Sequence, residues 1–104
     1  MPRTTTSSML FRYVYVLESI RDGKRYIGYT ANIKRRMEEH KSGETLSLKP
    51  RLPVRLIYFE ACLDEKDARR REHYLKTTQG MRFLGLRLQE YKRRQNIAAS
   101  RSGS

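Results

Sequence analysis

Apolar positions in the first part of the chain follow the alternation that is typical of β-strands. Residues 11–19 alternate aromatic and β-branched side chains with apolar residues on both faces, which predicts a central strand covered on both sides. The pair Asp22-Gly23 predicts a hairpin turn, and residues 25–30 predict the return strand. Residues 54–60 predict a third strand. Regular alternation in that third strand places Val54, Leu56 and Tyr58 on one face and Arg55, Ile57 and Phe59 on the other.

The pattern then changes to the spacing of a helix. Thr30 or Asn32 can cap a first helix, which runs to about Lys41 and which Gly43 ends. Residues 44–53 contain two prolines and predict an irregular loop between this helix and the third strand.

Two further helices are predicted after the third strand. One begins near Asp64 and runs to about Thr77, and Gly80 is expected to break it. The other covers residues 81–93. The order strand, strand, helix, strand, helix, helix predicts an α+β fold, in which a three-stranded, mostly antiparallel sheet is flanked by about three helices.

The length of 104 residues suits one domain with one modest core. We assign that domain to residues 11–95 and expect a flexible N-terminal tail over residues 1–10 and a flexible C-terminal tail over residues 96–104. The single cysteine, Cys62, allows no disulfide within the chain and fits a cytoplasmic location.

The chain is strongly basic. It has 23 Lys and Arg residues against 11 Asp and Glu, a formal net charge of +12 and a pI of about 10.4. Such a charge predicts a polyanionic partner, with DNA favoured and RNA as an alternative. A membrane surface is the competing partner, but the chain lacks Trp and has no apolar run near the roughly 20 residues that span a bilayer.

Two tyrosines stand out because the predicted hairpin carries one on each arm. Tyr15 lies on the first strand, and Tyr26 on the return strand is followed by Gly28, which permits close approach of a ligand or a neighbouring segment. A tyrosine in a strand is commonly a core residue with a hydrated hydroxyl. Position alone therefore leaves both a packing role and a site role open.

The first predicted helix carries a polar stripe. Asn32, Arg36 and His40 are spaced by four residues and share one side of the helix, next to an apolar stripe that should face the core. The alternative is a solvated basic face, because Arg36 ends a run of three cationic residues that also includes Arg35.

The second predicted helix places a carboxylate in an apolar stripe. Glu72 lies between Ala68 and Leu75, which are its neighbours at i−4 and i+3. A carboxylate in such a place must be paired, hydrated or bound to a metal ion, because burying it bare is costly. A salt bridge to Arg69 or Arg71 and a metal site are both compatible with the pattern.

These residues together resemble a known family. The ordered set consists of Tyr13-Val14-Tyr15, Tyr26-Ile27-Gly28, Arg36, His40 and Glu72. It resembles the signature of the GIY-YIG nucleases, in their small stand-alone single-domain form, over roughly residues 13–88. The first motif reads Tyr-Val-Tyr where the family usually has Gly-Ile-Tyr, and Tyr29 stands where repair-type members often have Lys. An Asn seen near the end of many of these catalytic domains has no clear counterpart.

The resemblance implies a reaction and a site. It implies a metal-dependent endonuclease that hydrolyses DNA phosphodiester bonds, with a structure-selective, repair-related role as one form of that activity. The catalytic residues implied are Tyr15, Tyr26, Arg36, His40 and Glu72. Glu72 would hold one Mg²⁺ or Mn²⁺ ion, Arg36 would contact the phosphate, and either Tyr15 or Tyr26 would be the general base.

Basic side chains outside this set are predicted to bind the nucleic-acid backbone without reading sequence. They are Arg35, Arg69, Arg70, Lys76, Arg87, Lys92, Arg93 and Arg94. We expect a monomer or weak dimer, with weak sequence specificity or targeting by a protein partner. Two other functions compete: a catalytically inactive nucleic-acid-binding module on the same fold, and a basic module that binds proteins or membrane surfaces.

Overall fold

A computed structural model describes residues 10–103 of the chain, with side chains for residues 10–100. Its elements in chain order are β1 (Arg12–Ser19), β2 (Arg25–Thr30), α1 (Ile33–Lys41), a 3₁₀ helix (Leu46–Arg51), β3 (Val54–Cys62), α2 (Glu65–Leu75), α3 (Thr78–Arg87) and α4 (Gln89–Gly103). The three strands and the helices confirm the predicted α+β class. The chain divides into two compact units, Met1–His73 and Tyr74–Ser104.

The sheet of the first unit has the strand order β2-β1-β3, and both pairings are antiparallel. The central strand, β1, is covered on both faces, because Val14 and Val16 on one face and Tyr15 and Leu17 on the other are each at most 2% exposed. This arrangement confirms the prediction of a central strand that carries apolar residues on both sides.

A β-bulge interrupts the pairing of β1 with β3 between Val16 and Leu17. On one side of the bulge Tyr15 pairs with Phe59, and on the other side Leu17 pairs with Leu56. Leu56 and Phe59 therefore lie on the same face of the sheet. The prediction that they face opposite sides is wrong, because the extra residue in β3 shifts the alternation by one position.

The first helix begins and ends where the sequence predicted. Asn32 is its N-cap, and the side chain of Asn32 accepts a hydrogen bond of 3.0 Å from the backbone N–H of Arg35. The helix ends at Lys41, and Gly43 follows with a φ of 82°, a left-handed conformation that favours glycine.

The segment predicted to be an irregular loop, residues 44–53, is partly ordered. Leu46–Arg51 forms a 3₁₀ helix that includes Pro50, and Leu48 within it is only 1% exposed. Leu48 forms a core cluster with Tyr15 and Leu17. The prediction of an irregular loop is therefore wrong for Leu46–Arg51. Prolines signal a turn, but the burial of Leu48 depends on packing against distant residues, which the local sequence does not reveal. The residues packed around this cluster are Tyr26, Ile33, Met37 and Val54.

The second unit, Tyr74–Ser104, is helical. The side chain of Thr77 caps α3 by accepting a hydrogen bond from the backbone N–H of Gly80 at 3.1 Å. Gly80 therefore lies inside α3 and does not break a helix. A side chain at Gly80 would overlap the carbonyl oxygen of Tyr74 and lie 2.5 Å from Cα of Leu75, so only glycine allows this close approach.

The last part of the chain also differs from the prediction. The single helix expected over residues 81–93 is two helices, α3 and α4, separated at Leu88. Helix α4 continues to Gly103 and so includes residues assigned to a C-terminal tail. Residues 1–9 of the predicted N-terminal tail lie outside the described residues. Among residues 10–103, no helix is both long enough and apolar enough to cross a membrane.

Candidate active site

Three aromatic rings from different elements meet on one face of the sheet. In the β1–β2 pairing Tyr15 lies opposite Gly28 and Leu17 lies opposite Tyr26, so the two tyrosines are diagonal neighbours on the same face. Their ring centroids are 6.3 Å apart. The imidazole of His40, from α1, lies 5.6 Å from the Tyr15 ring and 5.8 Å from the Tyr26 ring.

Gly28 makes room for this arrangement. A Cβ atom at Gly28 would overlap the ring and the hydroxyl of Tyr15, which extends across the neighbouring strand at this point. The close approach that the sequence predicted at Gly28 is therefore made by a tyrosine of the protein itself.

The hydroxyl of Tyr15 is the centre of the polar contacts. It lies 2.8 Å from Nε2 of His40 and accepts a hydrogen bond of 3.4 Å from Nε of Arg36. Tyr15 is 0% exposed. Burial raises the pKa of Tyr15 to about 12, although the hydrogen bond from Arg36 opposes this rise. The Tyr15 phenol is consequently protonated at neutral pH.

Arg36 is held between two oxygen atoms. Its Nε donates to Tyr15, and its Nη1 donates to Oε1 of Glu39 at 2.9 Å. The same two hydrogen bonds raise the pKa of the Arg36 guanidinium, which keeps it charged. The neighbouring Arg35 has a side chain that is 72% exposed, compared with 33% for Arg36. The helix thus brings Arg36, and not Arg35, to the tyrosines.

His40 is buried and connects the tyrosine to a residue that the sequence analysis did not select. It is 1% exposed, and its Nδ1 lies 2.8 Å from the hydroxyl oxygen of Thr45. Burial and the nearby charge of Arg36 both lower the pKa of His40, so the imidazole is neutral at pH 7. Thr45 was missed because it lies in the segment, residues 44–53, that was predicted to be an irregular loop.

Glu72 lies on α2 and is half-buried. Its carboxylate is one of the charges that raise the pKa of Tyr15, although it contributes less than burial and Tyr26 do. The two arginines considered as partners each bind another carboxylate: Arg69 pairs with Glu65, and Arg71 makes a bidentate pair with Glu60. The negative charge of Glu72 therefore contributes to the electrostatic environment of the buried Tyr15.

The donor set at Glu72 limits the kind of metal ion that fits. Within the part of the chain that the structure describes, no three His, Cys, Asp or Glu side chains cluster as metal ligands. A single carboxylate is compatible with Mg²⁺, which keeps several water ligands and is commonly held by one or two carboxylates together with phosphate oxygens. It does not fit a structural zinc site, which needs four protein ligands.

The eight basic residues predicted to bind nucleic acid are all exposed. Three of them lie in the first unit, where Arg35 and Arg69 pair with Glu39 and Glu65. The guanidinium of Arg69 also lies 4.0 Å from the ring centroid of Tyr29, a cation–π contact. The other five belong to the second unit, Tyr74–Ser104. They are Lys76, Arg87, Lys92, Arg93 and Arg94.

The chain matches the model of one protein family and several proteins of known sequence. Residues 11–83 match the GIY-YIG catalytic domain. A UPF0213 protein of Streptococcus pneumoniae is 45% identical over 65 residues, which cover 62% of this chain and 65% of that protein. A UPF0213 protein of Haloquadratum walsbyi is 41% identical over 69 residues, which cover 64% of this chain and 75% of that protein.

One solved structure is also similar. The NMR structure of a UPF0213 protein from Bacillus halodurans has a TM-score of 0.46 and 34% sequence identity, and the match covers 71% of this chain and 81% of that one. The chain spans slightly less than two thirds of the pneumococcal relative. Since the family model covers well over half of the chain and includes Tyr15, Tyr26, Arg36, His40 and Glu72, the protein belongs to the GIY-YIG family.

Proposed function

We propose that the protein is a metal-dependent endonuclease that hydrolyses phosphodiester bonds in DNA. The observation that carries the proposal is the hydrogen-bonded cluster on one face of the sheet, in which the buried Tyr15 and His40 meet the partly exposed Arg36. The carboxylate of Glu72 also influences the pKa of Tyr15. A cation held rigidly beside buried polar groups suits the charge that develops on a phosphate during hydrolysis.

Arg36 is the residue that we assign to the phosphate. Two of its N–H groups hold Tyr15 and Glu39, which fixes the plane of the guanidinium. A guanidinium has five N–H donors in a rigid fork, so other donors are available to bind a nonbridging phosphate oxygen. Because the side chain is already oriented, little conformational entropy is lost when the phosphate binds.

The two tyrosines receive different roles in this proposal. Tyr15 is fully buried and its pKa is raised to about 12, so it is suited to hold Arg36 and His40 rather than to meet a water molecule. Tyr26 is half-buried on the adjacent strand, so its side chain is more accessible than that of Tyr15. We therefore assign the general base to Tyr26, since a base must lie within hydrogen-bonding distance of the proton that it removes.

Glu72 is the residue that would hold one Mg²⁺ or Mn²⁺ ion. When bound, such an ion supplies positive charge to the phosphate and to the leaving oxygen. Glu72 is half-buried, and its negative charge is one of the influences that raise the pKa of Tyr15.

The substrate is assigned from charge. A net charge of +12 and exposed arginines and lysines in both units favour contacts with the phosphate backbone, which carry no sequence information. We therefore propose that the protein selects DNA by shape, as in a branched or flapped repair intermediate. We further propose that it acts in the cytoplasm as a monomer or weak dimer and that a protein partner helps to target it.

Glu72 provides the test of this function. Glu72→Gln keeps the size of the side chain and removes its charge, so Mg²⁺-dependent cleavage should fall on the order of 100-fold or more. Binding of the same labelled DNA in EDTA should change little, because one carboxylate is a small part of the electrostatic contribution. The matched control is Asp67→Asn, which removes an exposed carboxylate from the same helix and should leave cleavage unchanged.

An inactive DNA-binding module is the second candidate, and one observation favours it. Among the described residues no three His, Cys, Asp or Glu side chains cluster as metal ligands, so an ion at Glu72 would need water or phosphate oxygens for its other ligands. That candidate predicts tight DNA binding in EDTA and no cleavage in Mg²⁺ by wild type, Glu72→Gln or Asp67→Asn. Equal cleavage by wild type and Glu72→Gln would instead remove Glu72 from the proposed mechanism.

A further inference from the structure

Three hydrogen bonds of the site, one buried and two partly buried, form a continuous chain from α1 to the N-cap of the 3₁₀ segment. Arg36 contacts the Tyr15 hydroxyl, this hydroxyl contacts Nε2 of His40, and Nδ1 of His40 contacts the hydroxyl of Thr45. The last two contacts are both 2.8 Å long. Each hydroxyl and imidazole nitrogen can donate or accept, so the direction of the chain must be found from its ends.

The direction is fixed at the arginine end. The guanidinium of Arg36 has no acceptor atom, so it donates to the Tyr15 oxygen. The hydroxyl hydrogen of Tyr15 then needs an acceptor, because an unsatisfied donor is costly in a fully buried place. The acceptor that the structure places there is Nε2 of His40, which must therefore carry no hydrogen.

The hydrogen of the neutral imidazole then belongs on Nδ1. Burial and the charge of Arg36 lower the pKa of His40, so only one of its ring nitrogens is protonated at neutral pH. If Nε2 accepts from Tyr15, Nδ1–H must donate to the oxygen of Thr45. The opposite direction would give the Tyr15 oxygen two N–H donors and leave its own hydrogen without this acceptor.

We propose that Thr45 is a positioning residue of the active site that holds His40 in the Nδ1–H tautomer. His40 in this tautomer accepts the hydroxyl hydrogen of Tyr15, so a lone pair of the Tyr15 oxygen is oriented toward Arg36. Thr45 touches neither phosphate nor metal ion in this arrangement. It acts through two buried side chains on the orientation of the guanidinium that binds the phosphate. Only the expected change in cleavage rate rests on the proposed nuclease function, whereas the tautomer of His40 does not.

The tautomer can be measured without any cleavage. Two-dimensional ¹H–¹⁵N NMR spectra of the imidazole groups distinguish protonated from unprotonated ring nitrogens, and the chain contains two histidines. His73 is exposed and provides the reference signal, while loss of the other set of signals in His40→Gln assigns His40. We expect His40 to show a protonated Nδ1 and an unprotonated Nε2 in the wild-type protein.

Two substitutions at Thr45 separate the hydroxyl from the shape of the side chain. Thr45→Val keeps the shape and removes the acceptor, so the Nε2–H tautomer of His40 should become populated and the cleavage rate should fall roughly tenfold. Thr45→Ser keeps the acceptor, so it should retain the wild-type tautomer and a rate within about twofold of wild type.

The outcomes distinguish this inference from the nuclease proposal. A wild-type spectrum with a protonated Nε2 would overturn the inference even if every variant cleaves DNA, and this spectrum decides the question if Thr45→Val fails to fold. An unchanged tautomer in a folded Thr45→Val protein would also overturn it. The wild-type protein could show the Nδ1–H tautomer, with Thr45→Val losing it and Thr45→Ser retaining it, and yet cleave no DNA. In that case the positioning role of Thr45 stands and the nuclease proposal fails.

Discussion

At the scale of single residues, the site is organised by a tyrosine that is too buried to meet solvent. Tyr15 is 0% exposed, and burial raises its pKa to about 12. The hydroxyl therefore serves as a fixed neutral oxygen between Arg36 and His40. The cost of burying these polar groups is offset because each has a hydrogen-bond partner, and a site of this kind loses its geometry when one partner is removed.

Arg36 gives the sharpest prediction at this scale. Arg36→Ala should lower the single-turnover cleavage rate on the order of 100-fold, because it removes the donor that the proposed function assigns to the phosphate. DNA affinity should fall by about tenfold or less, since one phosphate contact is a minor part of the total. Single-turnover kinetics at saturating DNA separate the two effects.

The control for that experiment is the preceding residue. Arg35 has the same charge and lies on the same helix, but its side chain is 72% exposed. Arg35→Ala should therefore leave the rate of cleavage at saturating DNA nearly unchanged. Equal loss of rate in the two variants would show that the charge of the helix matters and that the contact of Arg36 with Tyr15 does not.

At the scale of elements, the hairpin of β1 and β2 holds the site because one strand lacks a side chain at the contact. Tyr15 pairs with Gly28 and its ring occupies the space that a Cβ at Gly28 would need. The 3₁₀ segment contributes Thr45 at its N-cap to the site and Leu48 to the core. The segment therefore connects the site to the core cluster of Tyr15, Leu17 and Leu48.

Two glycines test this packing argument. Gly28→Ala should destabilise the fold by about 1–3 kcal/mol, because the buried Tyr15 ring has to move. Gly85→Ala, in the exposed part of α3 with open space at its Cβ, should stabilise the protein by about 0.5–1 kcal/mol. Urea unfolding curves of the two variants measure both changes, and a neutral Gly28→Ala would contradict the assigned contact.

The sequence predicted the strands, the sheet and the first helix because their signals are local. The alternation in β1 and the cap at Asn32 depend on neighbouring residues only. The bulge at Val16/Leu17 and the burial of Leu48 depend on which distant segments pair and pack, and no local pattern encodes them. Thr45 belongs to the second kind, because its role follows from its distance to His40.

Gly80 shows the same limit in the second unit. A glycine after a helical pattern predicts a helix end, and α2 does end at Leu75. The glycine itself belongs to the first turn of α3, where it allows contact with the backbone of Tyr74 and Leu75. The prediction that Gly80 breaks a helix is therefore wrong, because this glycine is needed for a close backbone approach within α3 and not for a helix end.

The whole molecule combines a small, largely buried site with a large positive charge. The net charge of +12 is spread over two compact units, and each unit carries exposed basic residues. Charge of this kind accelerates association with a polyanion and gives affinity that decreases with salt, but it does not select a sequence. In the proposed function, selection of a DNA structure and catalysis of cleavage are therefore separate properties.

Whether the wild-type protein cleaves DNA when a divalent ion is supplied is the first measurement to make. End-labelled branched DNA, linear duplex and single strand would each be incubated with the protein in Mg²⁺ and in EDTA. We predict cleavage in Mg²⁺, with the branched DNA preferred, and none in EDTA. Binding of all three DNAs without cleavage in either condition would contradict the assignment of a nuclease site.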